Sequence, residues 1–181
     1  MSGIINATNL EVANIKDSTG TNTAMTVDSS GRLKMPKVPA FSVRGFGSLD
    51  SSATVNSISI PNGVDIIYNY DSIDINRDSA FSNSTGKYTV PVAGLYQIHA
   101  GFGFKSSTNY IKLILYLTSN DDSLSGHISG WSLNDGQHYN TQLSTIVEAS
   151  VGQEFALGMS DTYSTPHTDK WYLWFSAYLI G

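Results

Sequence analysis

The chain has 181 residues, carries a formal net charge of −5 at pH 7 and contains no cysteine. The absence of thiols excludes disulfide bonds, a cysteine nucleophile and zinc–thiolate sites. Only 14% of the residues are charged, and because Lys and Arg form no cluster, we expect no nucleic-acid partner. A sequence of this length predicts one domain with a smaller appendage.

The amino-terminal residues show neither the basic region nor the apolar region of a secretion signal. No apolar run in the sequence reaches the ~18 residues that a spanning helix needs. We therefore expect synthesis in the cytoplasm of the cell that makes the protein, without a signal peptide, and no insertion into a membrane.

Residues 1–38 differ in composition from the rest of the chain. They contain no aromatic residue, and Thr, Asn, Ser, Asp and Gly predominate, so this segment cannot bury enough surface to fold alone. The alternating pairs Met25/Val27 and Leu33/Met35 flank the turn-forming sequence 28–31, which predicts a short hairpin. Such a hairpin is marginal in isolation. We expect it to pair with sister chains or with a host assembly; a disordered leader is the alternative.

From residue 39 onward, short strand-like runs recur with turn signals between them. The predicted strands are Ala40–Gly45, Thr54–Ile60, Asp65–Asn69, Ser79–Ser82, Gly86–Val90, Leu95–Phe104, Tyr110–Thr118, His127–Leu133, Gln142–Ala149, Glu154–Met159 and Lys170–Ile180. Many short strands at regular spacing, with no helical period, predict an all-β sandwich or jelly roll.

The segment from Gly86 to Phe104 predicts two strands joined by a turn. Pro91 fixes its own φ and has no N–H, and Gly94 can adopt a positive φ, so the turn lies between them. After the turn, apolar residues alternate with more polar or small ones, as Tyr96 and Ile98 do with Gln97. This period of two predicts a strand with one apolar face.

The closing strand, residues 170–180, is apolar in both of its alternating sets. An antiparallel strand of a sandwich usually has one face in water, and residues 110–117 break this rule nearly as strongly. The interpretation we favour is an inner sheet whose second face packs against neighbouring subunits. A strand covered by an internal loop of the same chain is the alternative.

Residues 39–181 resemble the C1q-like family and, more loosely, the tumour-necrosis-factor jelly roll. The resemblance is carried by the run GKYTVPVAGLY at Gly86–Tyr96, by Pro39–Val43, Phe81 and Val151–Glu154, and by Phe175–Ile180, where Ala177 replaces the family's usual Gly. It implies a ten-stranded jelly roll that forms a tight homotrimer, with the middle and closing strands lining the threefold axis. The implied interface residues are Leu95, Gln97, Ile98, His99, Tyr172, Trp174, Phe175, Tyr178 and Ile180.

The leader resembles the leaders of some bacteriophage fibre and virion-appendage proteins. The similarity lies in Thr19–Leu33, followed by Met35-Pro36 and Pro39-Ala40-Phe41. It implies a virion structural protein, such as a fibre, spike or capsid decoration. Residues 1–38 would then attach to other virion proteins, and residues 39–181 would be displayed.

Metal and catalytic signals are weak in this sequence. Asp71, Asp74 and Asp78 are spaced closely enough to suggest calcium, which prefers clustered oxygen ligands, while solvated turn carboxylates are the ordinary interpretation. The four histidines show no metal-ligand spacing, and no nucleophile elbow or phosphate-binding loop occurs. We therefore predict no enzymatic activity and no cofactor other than calcium.

Two segments rich in aromatic and amide side chains are candidates for ligand recognition. Rings supply contact area and amides supply direction, which suits a host-surface glycan or protein. The candidate residues are Trp131, Asn134, Asp135, His138, Tyr139, Asp161, Tyr163 and His167. A buried Trp131 with ordinary turns around it is the alternative.

The favoured function is a non-enzymatic, trimeric virion protein for host attachment or particle decoration. One alternative is a free C1q-like lectin or signalling module that binds a glycan or protein. The other is a polysaccharide depolymerase, for which the sequence places no pair of carboxylates across a cleft.

Overall fold

A computed structural model of the chain describes residues 14–16, 19–21, 23–35, 37–45, 48–50, 54–55, 58–59, 65–105, 110–118, 124–133, 138–161 and 172–181. The chain divides into two compact units, Met1–Val38 and Pro39–Gly181. We call the first unit the leader and the second unit the head.

The described part of the leader is a three-stranded antiparallel sheet. Its strands are β1 (Asn14–Lys16), β2 (Thr23–Val27) and β3 (Leu33–Lys34), with β2 in the middle. The β2–β3 pair, with Val27 opposite Leu33, is the predicted hairpin and confirms it. The preceding strand β1, which pairs with β2, was not predicted, because three residues with one apolar side chain show no period.

The head contains fourteen described strands and one short 3₁₀ helix at Arg77–Ser79. The strands are β4 (Ala40–Arg44), β5 (Ser48–Asp50), β6 (Thr54–Val55), β7 (Ile58–Ser59), β8 (Asp65–Tyr68), β9 (Ser72–Asn76), β10 (Phe81–Ser82), β11 (Lys87–Thr89), β12 (Gly94–Lys105), β13 (Tyr110–Thr118), β14 (Leu124–Leu133), β15 (His138–Ala149), β16 (Glu154–Asp161) and β17 (Tyr172–Leu179). The predicted all-β class is confirmed.

The head strands form two main antiparallel sheets. One has the order β15-β12-β17-β4-β9, and we call it the five-stranded sheet. The other has the order β10-β11-β16-β13-β14, with β8 pairing to β16 and β5 to β8. Strand order departs from sequence order in both sheets, which is typical of a jelly roll.

Aromatic side chains join the two sheets in the core. Phe41 of the five-stranded sheet stacks on Phe81 and Tyr88 of the other sheet, with ring centroids 5.1 and 4.6 Å apart. Tyr96 of the five-stranded sheet meets the edge of Phe155 at 5.5 Å. Aromatic pairs of this kind are worth ~0.5–1.5 kcal/mol beyond their buried area.

Two of the motifs that carry the resemblance, Gly86–Tyr96 and Val151–Glu154, are joined by backbone hydrogen bonds. Val90, at the end of the Gly86–Val90 run, donates its N–H to the Gln153 carbonyl at 2.8 Å and accepts from the Gly152 N–H at 2.9 Å. The turn after it follows the prediction, since Gly94 has a φ of 153°. The Tyr96 hydroxyl donates to the Val92 carbonyl at 2.7 Å and fixes the same turn.

Three features of the head differ from the sequence-based expectations. The predicted strand Thr54–Ile60 is two short strands, β6 and β7, paired with each other. Strands β5 and β9 were not predicted, and β9 forms an edge of its sheet. Edge strands carry polar residues that weaken an alternating pattern. The strand β9 was missed because Asp71, Asp74 and Asp78, which lie in it or beside it, had been interpreted as turn residues.

The apolar strand β13 had been expected in an inner sheet that packs against neighbouring subunits, but it is not part of the five-stranded sheet. It sits inside the other sheet, between β14 and β16. Leu115, Tyr116 and Leu117 are all buried, so at these three positions both faces of β13 are covered within the chain. The β6–β7 hairpin is in contact with β13. The apolar residues on both sides of this strand are therefore explained by contacts within the same chain, and not by a neighbouring subunit.

Candidate functional site

The candidate site is the face of the five-stranded sheet that points away from the core. Alternation places Tyr96, Ile98 and Ala100 of β12 in the core and their neighbours on the opposite side. We call this opposite side the free face. Its β12 members are Leu95, Gln97, His99 and Gly101.

Strand registers align the free face in three cross-strand rows. In one row Gln97 lies between Ile146 and Tyr178, in the next His99 lies between Ser144 and Ser176, and in the third Gly101 lies between Gln142 and Trp174. The rows continue into β4 through Ala40, Ser42 and Arg44. The first row is mainly apolar, the second is polar, and the third ends in a cation.

Large apolar side chains remain exposed on this face. Ile146 is 54% exposed and Tyr178 is 44% exposed, and Leu95, Ile75 and Ile180 are exposed to a similar degree. Scattered exposed apolar residues are ordinary on protein surfaces, but a group on one sheet face marks an interaction surface.

The centre of the free face is closely packed within the chain. The rings of His99 and Tyr178 stack with centroids 6.5 Å apart and an angle of 22° between their planes. The indole of Trp174 lies over Gly101, so that a Cβ on residue 101 would clash with it. This contact explains why a glycine occupies the middle of β12.

Charged side chains lie at two places on the free face: the exposed Glu148 opposite Leu95, and Arg44 with Asp74 at the β4–β9 edge. The Arg44 Nε lies 2.8 Å from Asp74 Oδ2, and the Ser72 hydroxyl donates to Asp74 Oδ1 at 2.8 Å. The hydrogen bond from Ser72, followed by that from Arg44, lowers the pKa of Asp74 below its usual value. The carboxylate is therefore ionised at neutral pH and neutralises Arg44 at this edge.

Of the predicted interface residues, the structure places six on the free face. These are Leu95, Gln97, His99, Trp174, Tyr178 and Ile180. Ile98 and Phe175 were wrongly included, because both side chains are fully buried in the core. Tyr172 begins β17 opposite Gly103, and its side chain lies outside the described part.

Sequence reasoning missed Ile146 and Ile75 on the free face. A usable signal existed for Ile146. It is the one large apolar residue in the exposed alternating set of β15, whereas Leu143 and Ala149 of the other set are buried. Ile75 belongs to β9, which had not been recognised as a strand.

The three aspartates proposed for calcium do not form one site. Among the residues that the structure describes, no three His, Asp or Glu side chains come together as metal ligands. Asp74 bonds to Arg44 and Ser72 instead, and Asp78 lies in the 3₁₀ helix with a φ of 59°. The expectation of calcium at Asp71, Asp74 and Asp78 is therefore wrong as a ligand set.

The candidate recognition residues flank three connections at one end of the sandwich. Strand registers pair Lys105 with His138, Gly103 with Tyr172, and Ile111 with Asp161. The connections 106–109, 134–137 and 162–171 therefore all leave from neighbouring strand ends. We call this the connection end.

The individual candidates have different positions. Trp131 lies in β14, opposite Lys112, rather than in a loop. His138 and Tyr139 begin β15, and Asp161 ends β16. Asn134, Asp135, Tyr163 and His167 lie outside the described residues, so their role stays a prediction.

Across the described ranges, no helix combines the length and the apolar character that spanning a membrane requires.

Comparisons with known proteins show the fold. The globular domain of zebrafish complement 1qA matches with a TM-score of 0.57 and 16% identity, over 79% of this chain and 98% of that one. Murine APRIL at pH 5.0 matches with a TM-score of 0.55 and 7% identity, over 78% and 99% of the two chains. No family model matches the sequence, and no curated protein does so.

The chain therefore contains a C1q/TNF-like jelly roll, as the motifs in the head predicted. The likeness of the leader to phage proteins is not addressed by these neighbours and stays a prediction.

Proposed function

We propose that this protein is a non-enzymatic homotrimer, carried on a bacteriophage particle, that displays its head for host attachment or particle decoration. The observation that carries the proposal is the free face of the five-stranded sheet. It holds a group of exposed apolar side chains on a rigid surface that two sister chains can cover.

The composition of the free face favours assembly with copies of the same chain. Its central rows contain mainly apolar and polar residues, and the Arg44–Asp74 ion pair neutralises charge at one margin, while Glu148 lies opposite Leu95 at another. Obligate interfaces typically bury ~2,000–5,000 Å², and at ~25 cal/mol per Å² of apolar area such burial is a strong driving force.

Display on a virion is supported by the leader and by the connection end. The leader resembles those of phage appendages, and its short sheet is too small to be stable without a partner. The connection end supplies a surface for a glycan or a protein that lies on different residues from the free face. Recognition and assembly then use separate parts of the head.

The trimer is tested by native mass. The wild-type chain is expected to show three times its 19.6 kDa mass in light scattering. Ile146→Asp places a charge on the free face and is expected to give a folded monomer. Val151→Asp is the matched control, because Val151 is 65% exposed in the turn before β16, away from this face. A trimeric Ile146→Asp protein would contradict the assignment of the interface.

The particle assignment is tested by immunoelectron microscopy. Antibodies against residues 41–181 are applied to purified particles from the source. The expected result is label at a fixed position on the particle. Label on the capsid would indicate decoration, and label on the tail would indicate adhesion. Unlabelled particles, with all of the protein in the soluble fraction, would favour the free lectin or signalling module instead.

A further inference from the structure

The leader sheet has one apolar face and one polar face. Residues that pair directly across antiparallel strands share a face, and Ile15 pairs with Met25 while Val27 pairs with Leu33. Met25 and Val27 are two residues apart and therefore lie on the same side of β2. These four side chains form a continuous group, which we call the leader apolar face.

The opposite face of the leader sheet is polar. Thr26 pairs with Asn14 on one side and with Lys34 on the other, and its hydroxyl donates to Asn14 Oδ1 at 3.3 Å. In the adjoining turn Asp28 pairs with both Arg32 at 2.8 Å and Lys34 at 3.4 Å, which leaves one net positive charge on this polar side. The sheet is thus amphipathic, although it is only three strands wide.

The leader apolar face is largely uncovered in the single chain. Leu33 is 56% exposed, and Ile15 and Val27 are each 44% exposed. The three strands have only three, five and two residues, and a sheet of this size is at the lower limit of independent stability, where its hydrophobic face has to be packed. A stable leader sheet therefore requires a partner on this face.

We infer that the leader apolar faces of the three chains pack against one another and form a stem. This inference rests on the proposed trimer. The connection from Lys34 to Ala40 is short, and six extended residues span at most about 20 Å. Trimeric heads would therefore hold three leaders at millimolar effective concentration.

The composition of the leader apolar face also favours packing against a second copy of the same chain. All four side chains are uncharged and apolar, so identical faces meet without repulsion. The polar sides of the three sheets then point outward, where the hydroxyl, amide and ammonium groups of Thr26, Asn14 and Lys34 remain in water. An outward polar surface is what other virion proteins would contact.

Thiol cross-linking tests the stem in the full-length protein. The chain has no cysteine, so one introduced residue is the sole thiol. Val27→Cys places it on the leader apolar face, and Thr26→Cys, the preceding residue of β2 on the polar face with Asn14 and Lys34, is the control. Packed sheet faces lie about 10 Å apart, which a short bis-maleimide spans. We expect about five-fold more covalent dimer from Val27→Cys than from Thr26→Cys, because the outward faces are separated by whole sheets.

Native mass, measured for each variant before cross-linking, separates the possible failures. A trimer in which Val27→Cys links no better than Thr26→Cys overturns the stem and leaves the trimeric head intact. A monomer at the start overturns the proposed trimer itself. Efficient linking at both positions also overturns the stem, since it means that the leaders meet without a preferred face.

Discussion

At the scale of single residues, two buried tyrosines differ in how their hydroxyl groups are satisfied. The Tyr96 hydroxyl donates to the Val92 carbonyl at 2.7 Å. The Tyr70 hydroxyl is buried and has no hydrogen-bond partner among the described residues. Loss of solvent raises the pKa of both phenols above the usual value. Both therefore stay protonated at neutral pH, and each has an O–H to satisfy.

This difference predicts opposite effects of removing the two hydroxyls. Tyr70→Phe is expected to leave stability unchanged or to raise it by about 1 kcal/mol, because an unsatisfied buried group is removed. Tyr96→Phe is expected to cost about 1 kcal/mol, since the Val92 carbonyl loses its partner. Thermal unfolding at one fixed protein concentration measures both variants. A larger loss for Tyr70→Phe than for Tyr96→Phe would show that the Tyr70 hydroxyl is bonded.

Single residues also show where prediction from the sequence succeeded and where it failed. Alternation placed Tyr96, Ile98 and Ala100 together on one face of β12, as the structure does. The same alternation should have excluded Ile98 from the interface. Phe175 was included for a different reason. Both alternating sets of β17 are apolar, and the sequence does not say which set points to the core.

At the scale of secondary structure elements, the hairpin of the leader is held by one carboxylate. Asp28 Oδ1 accepts from the backbone N–H groups of Ser30 and Arg32 at 2.9 and 3.0 Å. Asp28 Oδ2 accepts from the Arg32 side chain at 2.8 Å. The backbone hydrogen bond from Arg32 is the largest cause of the lowered pKa of Asp28, and the bonds from the Arg32 side chain, Ser30 and Lys34 also lower it.

The lowered pKa predicts how this turn responds to acid. The contribution of the Asp28 carboxylate to the turn is complete above about pH 4, the usual pKa of Asp. It is lost as the pH falls through the lower pKa of the folded turn. In an NMR titration, the Arg32 amide resonance is expected to shift with a midpoint below that value. Asp28→Asn should abolish the transition, and a midpoint at or above pH 4 would contradict the hydrogen-bonded turn.

Elements with a strong period were predictable, and elements that depend on distant partners were not. The strands β12 and β15 have long alternating runs and β17 is a long run of apolar and aromatic residues, so their existence followed from the sequence. The pairs β5–β8 and β4–β9 join segments that lack such runs, and their pairing depends on the rest of the fold. The same dependence explains why Asp74 was interpreted as a calcium ligand, since its partner Arg44 is thirty residues away.

At the scale of the whole molecule, the free face of the head and the leader apolar face both expose groups of apolar side chains. They were predictable from the sequence to different degrees. Apolarity in both sets of β17 indicated a second covered face in the head, and the structure gives its register and its further members, Ile146 and Ile75. The leader apolar face was only partly predictable. Met25, Val27 and Leu33 follow from the hairpin, but Ile15 joins them through a strand that no pattern revealed.

The position of the three connections at one end has a practical consequence for protein engineering. Residues 106–109, 134–137 and 162–171 join strand ends whose registers are set by long ladders, including twelve consecutive pairs between β12 and β15. Loop closure becomes more costly only slowly with length, so inserted peptides at these points should leave the ladders in place. The head is therefore a scaffold whose ladders should tolerate foreign epitopes or randomised libraries inserted between these strand ends.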